Sequence, residues 1–196
     1  MGVSERRQRE KALRRECILD TALALAVEDG WDSVTTRRIA DRLEYSPAML
    51  YEYFPGKRDI LNGVARKGFG RLAEILQACL DGQADHPMLA MAQQAADFAF
   101  AHRRLYELMH TADVFEFGSQ ETPIEARTCF ALLWQAIENE VGSRDDLDDL
   151  TDMAWSAISG LISLALFRRL AGGEYRARRL VGPMVESLIR GWRDGD

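Results

Sequence analysis

Apolar residues of this 196-residue chain recur at three- and four-residue intervals over nearly its whole length. No stretch alternates as a half-buried strand would, so the pattern predicts an all-α fold. The spacing predicts a first helix over residues 5–29, ended by Gly30, with Ile18, Leu19, Ala22, Leu23, Leu25 and Ala26 along one stripe. A helix over 57–80 carries Ile60, Leu61, Val64, Phe69, Leu72, Ile75, Leu76 and Leu80. Further helices are expected over 88–102, 104–111, 123–141, 145–171 and 174–193, with a loop at Gly118, Ser119, Gln120 and Glu121. Ser143 or Asp145 is the expected cap of the helix that follows Gly142, and Gly172-Gly173 its expected end. Gly182-Pro183 is expected to kink or divide the last helix, because proline removes a backbone hydrogen bond from a helix interior.

Residues 35–54 carry the densest local information. They read as two short helices joined by a tight turn, with Pro55-Gly56-Lys57 immediately after. Thr35 suits the N-cap of a helix over 36–43, because its hydroxyl can accept an orphan backbone N–H. Ile39, Ala40 and Leu43 then share one face, while Arg37, Arg38, Asp41 and Arg42 point elsewhere. Ser46 caps the second helix and Pro47 takes its first position, where a missing N–H costs nothing. On that helix Leu50 and Phe54 share the buried face, Ala48 and Glu52 a second face, and Met49 and Tyr53 a third. A short helix with one buried stripe and small, polar or aromatic side chains elsewhere suits a DNA major groove.

At these residues the chain resembles the TetR family of transcription regulators. The resemblance includes Ile18-Leu19-Asp20-Thr21-Ala22-Leu23, Glu28-Asp29-Gly30-Trp31, Thr36-x-x-Ile39-Ala40 and Leu50-Tyr51-x-Tyr53-Phe54-x-x-Lys57-x-x-Ile60-Leu61. It covers residues 12–72 and implies a three-helix DNA-binding domain there, with the helix-turn-helix at 35–54. A larger helical domain for effector binding and dimerisation is implied over 73–196. Leu105-Tyr106-Glu107-Leu108-Met109 and Trp155-x-x-x-Ser159-Gly160-Leu161 resemble the TetR C-terminal domain named for its Trp, His and Gly, with Ser159 in place of the His. One departure lies in the turn, where Glu44 and Tyr45 stand in place of the family's Gly and small apolar residue. A glycine takes a left-handed backbone freely, whereas Glu there costs about 1 kcal/mol.

The resemblance implies a DNA contact set of Thr36, Arg37, Ser46, Pro47, Ala48, Met49, Tyr51, Glu52, Tyr53 and Lys57. Ala48, Met49 and Glu52 would face bases. Ser46, Tyr51, Tyr53 and Lys57 would touch phosphates, with Thr36 and Arg37 helping. It also implies a small-molecule effector site, for which Phe98, Tyr106, Met109, His110, Phe130, Trp134 and Trp155 are the candidates, with Gln94 and Gln135 as further polar groups. Ordinary core packing is the alternative for each. The apolar residues of the last two helices exceed what one face needs. The resemblance makes Ile158, Ile162, Leu166, Val181, Val185, Leu188 and Trp192 a dimerisation set in a four-helix bundle, two helices from each subunit.

The net charge of −6 does not suggest a partner of DNA, but its distribution does. Residues 1–70 hold 13 Lys and Arg against 11 Asp and Glu, and residues 71–196 hold 12 against 20. Arg6, Arg7, Arg9, Lys11, Arg14 and Arg15 cluster at the start, either as a solvated tail or as an arm that adds phosphate contacts, reaching into a minor groove.

Other chemistry is sparse. Cys17, Cys79 and Cys129 are isolated, without metal or redox spacing, and fit a reducing cytoplasm. His86, His102 and His110 complete no metal pattern, and no cofactor is expected. Asp145, Asp146, Asp148 and Asp149 suit a helix start. No phosphate loop, nucleophile elbow, His-Glu-x-x-His, leader or membrane-spanning run is legible. The reading is a cytoplasmic homodimeric repressor that binds an operator and an unknown effector, and not an enzyme. The alternative is a protein of the same fold that acts through other partners without an effector.

Overall fold

A computed structural model describes residues 3–82, 85–111, 115, 117–120 and 122–193. Glu121, the last residue of the expected loop, lies outside them, as do residues 194–196 of the expected second domain. Among the described residues the chain forms nine α-helices and no strand: α1 (Val3–Asp29), α2 (Thr36–Leu43), α3 (Pro47–Tyr51), α4 (Lys57–Asp81), α5 (Pro87–Ala101), α6 (Arg103–Met109), α7 (Ile124–Val141), α8 (Leu147–Leu166) and α9 (Gly173–Arg193). A 3-10 turn at Trp31–Ser33 joins α1 to α2.

The chain divides into two compact units, Met1–Gly68 with Arg104–Glu121, and Phe69–Arg103 with Thr122–Asp196. The division falls inside α4, where the sequence suggested one cut at 72/73. In the first unit Gly68 faces Leu105 and Met109 of α6. A Cβ there would lie 2.6 Å from Met109 Sδ and 3.0 Å from a Leu105 methyl, so a larger residue would force these side chains aside. In the first unit α1 packs on α2, and α2 on α3. Ile18, Leu25, Ile39, Leu50, Phe54 and Ile60 are buried among them. In the second unit α5 packs on α7, α8 and α9, and α8 on α7 and α9. Met88, Met91, Ile137, Ile162 and Val185 fill that core.

Several expectations are corrected. The basic stretch at the start is not a loose tail, since it belongs to α1, helical from Val3, with Arg6 and Glu10 paired one turn apart at 3.4 Å. The helix α3 ends at Tyr51, so Phe54 is buried from the segment after it. Asp146 is the N-cap of α8, without a side-chain capping bond, because Arg144 engages its carboxylate at 2.6 and 3.0 Å. That same helix ends at Leu166, before the glycine pair. Arg168 takes the left-handed conformation at φ 58°. The N–H groups of Arg168 and Arg169 close on the carbonyls of Ala165 and Leu164 at 3.1 and 2.7 Å, a Schellman cap built without glycine. Gly182-Pro183 does not divide α9, which runs unbroken to Arg193.

Candidate nucleic-acid interface

Two side-chain caps set the two short helices. The Thr35 hydroxyl accepts from the Arg38 N–H at 3.1 Å, and the Ser46 hydroxyl accepts from the Met49 N–H at 3.2 Å. Between them Glu44 sits at φ 57° and ψ 34°. The N–H groups of Glu44 and Tyr45 donate to the carbonyls of Asp41 and Ala40 at 3.3 and 2.9 Å, so hydrogen bonding holds the left-handed turn despite the Glu side chain.

Ion pairs fasten this head to α1. Arg42 donates to both oxygens of Glu28, at 3.0 and 2.8 Å. The bond from Arg42 holds the Glu28 carboxyl below its ordinary range, and Glu28 raises Arg42 in turn. Arg38 reaches Asp29 at 2.6 Å and the Ser33 carbonyl at 3.2 Å. Lys67 on α4 bonds Glu16 and Asp20, both at 2.6 Å. Burial acts to lower the Lys67 ammonium, but the two carboxylates outweigh it and raise it. Below the head, Trp31 donates its indole N–H to the Arg104 carbonyl at 2.8 Å, while its own carbonyl accepts from Lys57 Nζ at 3.3 Å.

The expected contact residues do not all stand alike. Arg37, Ser46, Pro47, Ala48, Tyr51 and Glu52 are exposed, and Thr36, Met49 and Lys57 are half-buried. Tyr53 is buried. Its hydroxyl accepts from Arg14 at 3.1 Å, its carbonyl accepts from Arg15, and the Arg15 guanidinium lies 4.1 Å from the Phe54 ring centre. Tyr53 therefore joins the end of the reading segment to α1. The bond to Tyr53 also raises the Arg14 guanidinium. Beside it runs a groove of about 280 Å3 lined by Arg7, Glu10, Lys11, Arg14, Glu52 and Tyr53. The spacing of Arg7, Lys11 and Arg14 is the sequence signal that could have singled them out.

The effector candidates divide between the units. Tyr106, Met109 and His110 lie in the first, with the Tyr106 and His110 rings stacked at 4.0 Å. The His110 imidazole is held below its usual value by burial, against a raising bond to the Tyr106 carbonyl at 3.0 Å. Phe98, Phe130, Trp134 and Trp155 lie in the second unit. Phe98 is buried in the core, whereas the other three rings are half-exposed. Trp134 donates to Asp148 at 3.1 Å.

The dimerisation set needs revision. Ile158, Ile162, Leu166, Val181, Val185 and Trp192 are buried inside one protomer, where α8 and α9 pack together, and Leu188 is half-buried. The outward stripes are others. On α8 Met153, Ala157, Gly160, Leu164 and Phe167 follow a heptad spacing, with Met153, Leu164 and Phe167 about half-exposed or more. On α9 Leu180, Met184, Leu188 and Gly191 stand at i, i+4, i+8 and i+11, the first three half-buried and Gly191 exposed. A Cβ added at Gly160 or Gly191 would meet nothing within 4 Å.

Taken together these features define an all-α protein with a pinned helix-turn-helix head. A family profile described as "Bacterial regulatory proteins, tetR family" matches residues 18–64, and one described as "Tetracyclin repressor-like, C-terminal domain" matches residues 88–188, more than half of the chain. The chain belongs to the TetR family. The transcriptional repressor KstR of Mycobacterium tuberculosis is 38% identical over 59 residues, 30% of this chain and 27% of that protein. The class C tetracycline repressor protein of Escherichia coli is 42% identical over 53 residues, 27% of this chain and 24% of that protein. The chain thus matches about a quarter of the length of these curated relatives. In shape it is similar to a protein with unknown function from Rhodococcus sp. RHA1, at a TM-score of 0.74 and 22% identity over 90% of this chain and 94% of that one. It is also similar to RolR in complex with resorcinol, at a TM-score of 0.64 and 18% identity over 95% and 94%. At such identity these two likenesses establish the fold. No helix among the described residues is long and apolar enough to cross a membrane.

Proposed function

We propose that the protein is a transcriptional repressor that binds a palindromic operator as a homodimer and is released by a small-molecule effector. The observation that carries this is the exposed surface of Ala48, Tyr51 and Glu52, with Met49 beside them, on a head fastened by Arg42–Glu28 and Arg38–Asp29. Ala48, Met49 and Glu52 face bases in the major groove. Thr36, Arg37, Ser46, Pro47, Tyr51 and Lys57 hold the backbone, and Tyr53 acts through Arg14. The outward stripes of α8 and α9 form the dimer seam. Two heads must lie about 34–36 Å apart to enter successive grooves, so an effector that alters their separation spoils docking. Phe130, Trp134 and Trp155 are the half-buried aromatic candidates for such a ligand in the second unit, and the neighbour RolR holds resorcinol on the same fold.

The test is selection from a random duplex pool, with sedimentation of the recovered complex. An enriched inverted repeat carried by two protomers is expected, and an unenriched pool overturns the reading. The exposed carboxylates Glu44 and Glu52 favour a second reading, a TetR-fold interaction protein without an effector. Absence of DNA binding even at low salt, with the fold intact, would decide for it.

A further inference from the structure

We infer that Arg7, Lys11 and Arg14 form a second phosphate clamp on α1, held in fixed register with the recognition helix. The inference rests on the DNA-binding reading and deepens it. The three cations stand at i, i+4 and i+7, which puts them on one face of the helix. All three line the groove that Glu52 and Tyr53 close from the other side. Glu10, also in that groove, is engaged with Arg6 at 3.4 Å. Glu52 lines the same groove as a repulsive charge, so the strand approaches along the three cations.

The register is what separates this clamp from a floating basic tail. Arg14 is bonded to the Tyr53 hydroxyl and Arg15 to the Tyr53 carbonyl, with the Arg15 guanidinium against Phe54. Lys67 fixes the same helix just beyond Arg14, through Glu16 and Asp20. Arg14 engages a neutral hydroxyl here, so its charge stays available to a phosphate oxygen. From Arg7 to Arg14 the helix rises about 10 Å. That equals the axial run of about three base pairs at 3.4 Å each. The occupant that fits is one sugar–phosphate strand of the duplex flanking the bases read by α3.

The experiment measures operator affinity against salt for the full chain, on the sequence recovered by selection. Each lost phosphate contact lowers the slope of log K against log salt by about 0.9. Arg7→Ala/Lys11→Ala is expected to lower it by about 2 for each protomer bound, with the selected sequence unchanged. Arg7→Lys/Lys11→Arg is expected to retain the wild-type slope. A wild-type slope in the alanine variant overturns the clamp and leaves the DNA-binding reading standing. If the alanine and charge-retaining variants lose the slope alike, the effect is one of packing and the clamp is overturned. Wild-type protein that selects no sequence overturns both.

Discussion

Arg42 grips Glu28 through both guanidinium nitrogens, at 3.0 and 2.8 Å, and so ties the second helix of the reading head to the end of the first. The bond from Arg42, against a smaller opposing effect of burial, keeps the folded Glu28 carboxyl below its unfolded value. Its contribution is therefore complete above the ordinary carboxylate range and disappears as pH falls through the lower, folded value. Glu28→Gln should melt below wild type at neutral pH, with the gap closing on acidification. A gap that ignores pH would show packing rather than charge.

Tyr51 and Lys57 are assigned to the backbone. Tyr51→Phe should weaken cognate and random DNA alike, and Lys57→Ala should lower the salt slope by about 1. Glu52→Ala should relax preference at one position of each half-site, since a carboxylate there can accept from cytosine N4, a contact worth about 1–3 kcal/mol of discrimination. Comparison of selected sequences checks this. Identical preferences in wild type and variant mean that Glu52 reads nothing.

For the seam, Leu164→Glu should give folded monomers that melt cooperatively but below the wild-type dimer by the lost association alone, with a midpoint independent of concentration, because Leu164 is 48% exposed in the protomer. Val185→Glu should unfold the protein instead, since Val185 is fully buried and an unpaired buried charge is expensive. Sedimentation with thermal melting separates the two outcomes. A Leu164→Glu dimer places the seam elsewhere.

Burial pushes the Cys129 thiol up to about 12 and raises Cys79 as well, while Cys17 is exposed. Alkylation of native protein at pH 8, read by mass, should label Cys17 first and Cys79 slowly. Cys129 should be labelled only after denaturation. Early labelling of Cys129 would contradict its place in the core.

Glu44→Gly should stabilise the protein by about 1 kcal/mol, because the turn already has the backbone that glycine adopts without a Cβ clash. Denaturant unfolding reads the difference. An unchanged midpoint would show that the strain is relieved elsewhere.

The parts legible in the sequence were those whose cause is local. Thr35 and Ser46 cap within three residues of themselves, so side-chain chemistry alone placed both short helices. Which apolar residues of α8 are buried within the protomer was not legible for the opposite reason. Apolar spacing marks Ile162 and Leu164 alike, and only the packing of α8 on α7 and α9 decides that the first is buried and the second exposed. The end of α8 escaped notice because Arg168 takes a left-handed turn that Gly172-Gly173, four residues on, fits better by residue type. What the first turns of α1 pack against was not legible, because a run of charges has no apolar period. Their link to Tyr53 spans 39 residues of sequence.

Glu44 and Glu52 stand exposed on the reading head of a chain whose net charge is −6. A genome offers on the order of 10⁶–10⁹ irrelevant sites, each attracting a regulator through its phosphates alone. Carboxylates beside the contact surface weaken that indiscriminate attraction more than they weaken a well-matched complex, where base contacts compensate. On this reading the acids shorten each futile visit. On the proposed function, the protein would then dwell longer in free solution, where a scarce effector would reach it before it rebinds.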